Sequence, residues 1–308
     1  MREERQLTQE IVSSKTLLKL ARSFHTKKKL GQHFMVNAEV LQTICDCLDL
    51  DCADHIIEIG PGIGFLTRFL ALSGAQITAV ELDRESISEL KALNLPGLTI
   101  KHGDFLAYDL ASGRFRENGS EGWAEPDGKQ KIKVVGNVPY QITGLILGHL
   151  LGEIGQPSVN LSQIDRIVLM VQKEVAERMV AQPGSKQYAQ LSLLIQYNCE
   201  AELVREVGAD LFFPPPRVDS AIVRLIPHAQ EPVSCDNKKL LRRVVKAGFA
   251  QRRKMLRNAL TSLGAAQSLI DDVFKDLKID PQARAETLSL KQFAMLTNAL
   301  DQRLSVKK

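Results

Sequence analysis

Two periodicities alternate over the first two thirds of the chain. Short apolar runs occur as "HIIEI" (55–59), "QITAVEL" (76–82), "LTIKHGD" (98–104), "KIKVVGN" (131–137) and "IDRIVLMVQ" (164–172). Their length and β-branched content predict strands. Between them apolar residues recur at helical spacing. Asn37 can cap a helix carrying Val40, Leu41, Ile44 and Leu48, and further helices are predicted at 65–72, through Glu89, through Leu150 and from "KEVAERMV". Strands alternating with helices imply βαβ units and a mostly parallel sheet covered on both faces. Two late strands, near 201–206 and 219–226, can add an antiparallel edge. After Pro232 the pattern turns helical and stays so. The expected layout is a basic extension over 1–26, an α/β domain over 27–231 and a small helical domain over 232–308.

Composition narrows the class. With 308 residues, 44% hydrophobic and 25% charged, the chain can bury a core in two domains. Residues 111–130, "ASGRFRENGSEGWAEPDGKQ", break the pattern and read as a surface insertion; Trp123, the only tryptophan, lies there. The cysteines, Cys45, Cys47, Cys52, Cys199 and Cys235, are odd in number and form no CxxC pair. That supports neither a disulfide framework nor a metal site, and it fits a reducing, cytoplasmic setting. Cys45 and Cys47 read as small apolar fillers of a helix. No apolar run approaches membrane-spanning length. Glu3, Glu4 and Glu10 argue against a transit peptide, so the first 26 residues read as a basic arm.

Charge then sharpens the picture. The net +4 is uneven: Met1–Phe34 carries +5 and Glu231–Lys308 carries +8, which leaves −9 for the middle. Basic ends around an acidic centre point to an anionic partner, most simply nucleic acid.

The chemistry gathers at strand ends. "HIIEI" runs into Gly60-Pro61-Gly62-Ile63-Gly64 before a helix, so a ligand can approach the backbone closely. The dinucleotide fingerprint needs glycine at position 65, where Phe65 stands, so pyrophosphate binding loses weight. Glu81 ends the second strand, placed for ribose hydroxyls, and Asp104 ends the third, placed for an adenine amine. Each alone could be a cap or turn residue. In series they describe a pocket for a phosphate-free adenosine, S-adenosylmethionine. After the fourth strand comes Asn137-Val138-Pro139-Tyr140. An adenine N6 amine is a weak nucleophile that must be polarised, held in line and kept from water. The Asn137 side-chain oxygen and the Val138 carbonyl can accept its two N–H bonds. Pro139 stiffens that backbone, and Tyr140 offers a flat face for the base.

With these residues the chain resembles the ribosomal small-subunit RNA adenine N6,N6-dimethyltransferases. The marks are "KKLGQHFM" (28–35), "EIGPGIGFLT" (58–67), "VELD" (80–83), "GDF" (103–105), "GNVPYQI" (136–142), "LMVQKEVAERMV" (169–180), "QYAQLSLLIQY" (187–197), "FFPPPRVDSAIVRL" (212–225) and "FAQRRKMLRNAL" (249–260). The resemblance implies a Rossmann-like class I methyltransferase fold with a helical C-terminal domain. It implies S-adenosylmethionine as the only cofactor, no metal, and a monomer acting on two adjacent adenosines near the 3′ end of 16S rRNA in the small subunit. By matching positions, His33 and Met35 contact the cofactor, Gly60 its methionine part, Glu81 its ribose and Asp104 its adenine. Asn137 touches cofactor and base, with Tyr140 stacking on one side of the base and Phe212 on the other. The sequence departs at His33, often Asn in the family, at Val138, commonly Leu, and at Phe213, often Thr.

Arg242, Arg243, Lys246, Arg252, Arg253, Lys254 and Arg257 fall within sixteen residues without an intervening acid. Helical spacing separates them from Leu241, Val245, Phe249, Leu256 and Leu260, so they read as one charged helix face for RNA phosphates. Other classes compete: a non-catalytic RNA binder on the same fold, a 23S RNA methylase, and a nicotinamide oxidoreductase. Intact Asn137, Pro139, Tyr140, Glu81 and Asp104 favour catalysis over the first. The C-terminal motifs disfavour the second, and Phe65 disfavours the third.

Overall fold

The computed structural model describes residues 13–27, 31–110, 112–115, 131–251 and 253–305. Two compact units emerge: one draws on Met1–Leu150, Val159–Ala176 and Glu202–Pro227, the other on Leu151–Ser158, Glu177–Ala201 and His228–Lys308. The helical C-terminal region is therefore joined by residues 151–158 and 177–201, which precede the expected boundary at 232.

The first unit is built on one seven-stranded sheet. Its strands are β2 (His55–Ile59), β3 (Gln76–Glu81), β4 (Leu98–His102), β5 (Ile132–Asn137), β6 (Ile164–Gln172), β7 (Cys199–Val207) and β9 (Ser220–Pro227), in the order β7-β9-β6-β5-β2-β3-β4. β4, β3, β2, β5 and β6 run parallel, and β9 is antiparallel to β6. The apolar runs that signal strands are the buried ones: Ile167 through Val171 are all 0% exposed. Ile59 pairs with both Val80 and Gly136, and Glu81 with His102, so the carboxyl ends of β2, β3, β4 and β5 emerge along one edge. An open parallel sheet binds ligands there.

Helices connect the strands. α2 (Ala38–Leu48) is capped by the Asn37 side chain on the Val40 amide and buries Val40, Leu41, Ile44, Cys45, Cys47 and Leu48, so the two cysteines pack as apolar fillers. α3 (Phe65–Ala71) follows the glycine loop and α4 (Arg84–Ala92) follows β3, while α5 (Thr143–Leu151) and α6 (Lys173–Val180) follow β5 and β6.

The described part of the N-terminal extension is not a free arm. Ser14–Ser23 form α1, capped by Ser13, with Leu17 and Ala21 fully buried. They join the core that contains Phe34, Phe65 and Ile77. Helical spacing of Leu17 and Ala21 under the basic residues is the signal that net charge concealed. Beyond α1 a two-residue strand β1 (Phe34–Met35) pairs antiparallel with β8 (Phe212–Phe213). Of the expected insertion, Arg114–Phe115 pairs with Tyr108–Asp109 as a short hairpin; Trp123 lies outside the described residues.

The second unit packs α7 (Gln190–Asn198), α8 (Lys238–Phe249), α9 (Leu256–Leu260), α10 (Gln267–Asp276) and α11 (Leu290–Ser305) around one core. Leu241, Val244, Val245, Leu256, Val273 and Phe293 sit fully buried in it. The expected continuous helix after 237 is broken. α8 ends at Phe249, and Met255 is extended ahead of α9. The break lets Leu256 donate its amide to the Ala283 carbonyl and pack against Gly248, where a Cβ would lie 3.0 Å from the Leu256 side chain.

Candidate active site

The glycine loop turns sharply because Gly60 and Gly62 have φ of 59° and 58°, which side-chain-bearing residues rarely adopt. A Cβ at Gly62 would lie 2.8 Å from the Phe34 ring, whereas nothing lies within 4 Å of one at Gly60. The loop is thus pressed against β1 on one side and open beside Gly60. That open space belongs to a cavity of about 330 Å³ at the carboxyl edge of the sheet.

Expected residues converge on it. His33, Met35, Gly60, Gly62, Glu81 and Asp104 line the cavity, and so do Asn137, Val138, Pro139 and Tyr140. Gly64 does not; it precedes α3 with φ of 83°, and a Cβ there would meet Leu93 at 2.6 Å. Phe212 does not line it either. It is 3% exposed, pairs with Met35 and belongs to the hydrophobic core, while its neighbour Phe213 is half-buried. The expected place of the Phe212 ring against a base stays a proposal; in this structure the ring packs in the hydrophobic core.

Glu81 is buried and anchors two turns. Its carboxylate accepts the Gly62 amide at 2.9 Å and the Asp83 amide at 2.8 Å. Burial pushes its acid up, against the pull of these backbone bonds. One lone pair on each oxygen remains for a ligand hydroxyl. Asp104 is exposed; its Oδ1 caps the turn at Phe105–Ala107 through the Leu106 amide. The cap reading and the ligand reading of Asp104 are compatible, since Oδ2 stays available.

Asn137 is half-buried at the end of β5, and its Nδ2 donates to the His33 carbonyl at 2.9 Å. Only the amide nitrogen can donate, so this bond fixes which way the side chain points. Neither its Oδ1 nor the Val138 carbonyl accepts a hydrogen bond among the described residues. The Val138 amide is tied to the Met170 carbonyl at 3.1 Å, and the Pro139 carbonyl accepts the Ile142 amide, so the backbone that carries these acceptors is held on both sides. The Tyr140 hydroxyl meets Ser220 at 2.7 Å, and its ring lies near-parallel to His33, centroids 6.3 Å apart. His33 Nδ1 donates to the Pro214 carbonyl at 2.8 Å.

Sequence reasoning missed the clasp beside this wall. Lys27 reaches Asp83 at 2.6 Å, Gln32 donates to the same carboxylate, and the Lys27 amide donates to Gln32. Burial alone would raise the Asp83 acid, but hydrogen bonds from Lys27, Gln32, the Glu85 amide and Ser86 hold it below the ordinary range. The signal available was Asp83 as a helix cap two residues after Glu81.

The basic stretch separates into two groups. Arg242 pairs with Glu153, and Arg257 reaches Asp271 at 3.4 Å. Arg243, Lys246, Arg253 and Lys254 are exposed and form no ion pair among the described residues. Arg253 and Lys254 sit in the break between α8 and α9 rather than on a helix face, and Arg252 lies outside the described residues. Among the described residues no cluster of His, Cys, Asp or Glu suits a metal ion, and no helix is long and apolar enough to cross a membrane.

A mostly parallel sheet with an antiparallel edge, a glycine loop and acidic strand ends around one cavity is the Rossmann-like methyltransferase fold. Two solved structures share it at a TM-score of 0.63: a dimethyladenosine transferase from Plasmodium falciparum and the 23S rRNA methyltransferase ErmE. The first is 24% identical over 84% of this chain and 94% of its own; the second is 23% identical over 87% and 100%. The family model described as ribosomal RNA adenine dimethylase matches residues 23–302. Curated relatives named ribosomal RNA small subunit methyltransferase A include one from Nostoc sp., 41% identical over 89% of this chain and 97% of the relative. Another, from Laribacter hongkongensis, is 40% identical over 88% and 95%. The chain belongs to the ribosomal RNA adenine dimethylase family.

Proposed function

We propose that the chain dimethylates the N6 amines of two adjacent adenosines near the 3′ end of 16S rRNA in the small ribosomal subunit, in ribosome biogenesis. The observation that carries this reading is the pair of uncommitted acceptors at Asn137 and Val138. They stand side by side on a braced backbone at the cavity wall.

The cavity fits S-adenosylmethionine by its chemistry: it offers carboxylates to hydroxyls and an amine, open space at Gly60, and, among the described residues, no lysine or arginine to attract phosphate. That cofactor, when bound, supplies a methyl group on a positively charged sulfur. Glu81 holds the ribose with its remaining lone pairs, Asp104 takes the adenine amine, and His33 and Met35 close the methionine side. The target base lies on Tyr140. Asn137 Oδ1 and the Val138 carbonyl accept its two amino protons, which keeps the nitrogen lone pair directed along the transfer line. The fixed acceptors need no reorganisation as positive charge develops on that nitrogen. The amine then releases one proton to solvent for each methyl it gains.

RNA is held by Arg243, Lys246, Arg253 and Lys254 of the second unit, which have no competing acid partner among the described residues. Arg252 belongs to the same proposal from sequence. Contacts of this kind read phosphates and shape rather than base identity. The protein acts as a monomer in the cytoplasm, where small subunits are assembled.

The test is incubation with labelled S-adenosylmethionine and 30S particles from an unmethylated strain. Dimethyladenine at adjacent positions is expected. Binding of the particles without methyl transfer would move the reading to a non-catalytic RNA binder.

A further inference from the structure

Glu58 is a buried acid that the proposed chemistry does not use. It lies one residue before the end of β2, is 1% exposed, and lines the same cavity as Gly60, Glu81 and Asp104. The hydrogen bond from Thr67 Oγ1, at 2.7 Å, is the one its side chain receives among the described residues. Thr67 is fully buried in α3 and can satisfy a single oxygen. The flanking strands offer nothing polar, because Glu58 stands opposite Ala79 on β3 and Val135 on β5.

The charged surroundings are one-sided. Glu81 faces it from β3, and the Cys45 thiol from α2 is itself pushed up to about 12 by burial, with Glu58 adding to the shift. Asp104 contributes a third carboxyl to the cavity. No lysine or arginine lines it among the described residues, and His33, occupied by the Pro214 carbonyl, is the one lining side chain able to carry positive charge. A buried carboxylate without a cation is costly, so such a group keeps its proton until a cation arrives.

We infer that Glu58 is the counter-charge for the positive end of the cofactor, and that it yields its proton to solvent when that end enters the cavity. The inference rests on the cofactor reading above. The O–H bond of the Glu58 acid breaks, the proton goes to buffer, and the carboxylate left behind faces the sulfonium and ammonium groups of the ligand. Burial first, with Glu81 adding to it, raises the Glu58 acid to about 8. Below that pH the free protein therefore holds the proton and the bound protein does not. The residue makes the cavity selective for charge: a neutral adenosine thioether cannot draw the proton off.

Calorimetric titration of the full chain with S-adenosylmethionine, in two buffers of different ionisation enthalpy, counts the protons. At pH 7 about one proton is released per cofactor bound, and the release shrinks as pH rises through 8. Between pH 6 and 7.5 the affinity climbs about tenfold per pH unit. Glu58→Gln, which keeps the shape and the Thr67 partner, releases about one proton fewer and loses that slope. Methylthioadenosine, a neutral probe, binds without the release. The pH series on the unaltered protein stands even if the variant folds poorly. Cofactor binding with no proton exchange at pH 7, or equal release from Glu58→Gln, overturns the inference and leaves the cofactor reading intact. No cofactor binding at all overturns both.

Discussion

Asn137 carries two jobs on one short side chain. Its nitrogen ties the strand end to the His33 carbonyl, and its oxygen, which accepts no hydrogen bond among the described residues, is the acceptor proposed for the target amine. Asn137→Ala removes both, so methyl transfer to 30S particles falls by at least about two orders of magnitude, as for a lost positioned hydrogen-bonding group. Particle binding, measured alongside, stays near the wild-type level. Phe212 behaves differently. With its ring 3% exposed in the core, Phe212→Ala costs about 3–5 kcal/mol of stability. Urea unfolding shows that as a lowered midpoint, whereas Tyr140→Ala, at a half-buried position, loses turnover with a smaller shift. These two aromatics illustrate what is legible from residues alone. Gly60, Glu81, Asp104 and Asn137 can be placed because each follows a strand whose end is marked by its own apolar run. The core that buries Phe212 includes Phe34 and Met35, far away in the chain, and no local pattern encodes that. Glu58 escapes notice because an acid inside a strand reads as a polar position facing water, while here both sheet faces are covered.

Among the elements, α1 and the break after α8 depart most from the periodic reading. α1 stands in a segment whose charge suggests an arm, yet Leu17 and Ala21 bury completely and Phe24 packs edge-on to Phe34 at 5.7 Å. The helix thereby supports the strand that presses on the glycine loop. Leu17→Ala is expected to cost about 2–5 kcal/mol, measured by denaturant unfolding. Exchanging the neighbouring Lys15 or Lys19 for glutamine changes stability by no more than about 0.5 kcal/mol. The break between α8 and α9 could not be read from periodicity, because apolar residues before and after it keep a helical phase. Tertiary contacts select it: Leu256 reaches the Ala283 carbonyl only if the chain turns there. Its effect is to present Arg253 and Lys254 outside any helix.

For the molecule as a whole, charge distribution matters more than net charge. Of the described basic residues in the cluster, two are neutralised by Glu153 and Asp271 and four are free. Replacing Arg243, Lys246, Arg253 and Lys254 by glutamine lowers RNA affinity and flattens its dependence on salt. The slope of log affinity against log salt falls by about 0.7–0.9 for each phosphate contact removed. Arg242→Gln and Arg257→Gln leave the slope nearly unchanged, since those charges are already spoken for. Filter binding across a salt series checks both outcomes.

The pairing of Phe34–Met35 with Phe212–Phe213 has a consequence for how the protein comes into being. One wall of the candidate cavity is made early and is fastened by residues made much later. At roughly 5–20 residues per second, a growing chain carries Phe34 for about 10–35 s before Phe212 is added. The sheet edge on which the cavity rests can assemble in that interval, but the wall stays unfastened. A translating ribosome therefore holds no working copy of this site until nearly the whole first unit has been made, and the apolar face of β1 has to stay out of other pairings during the wait.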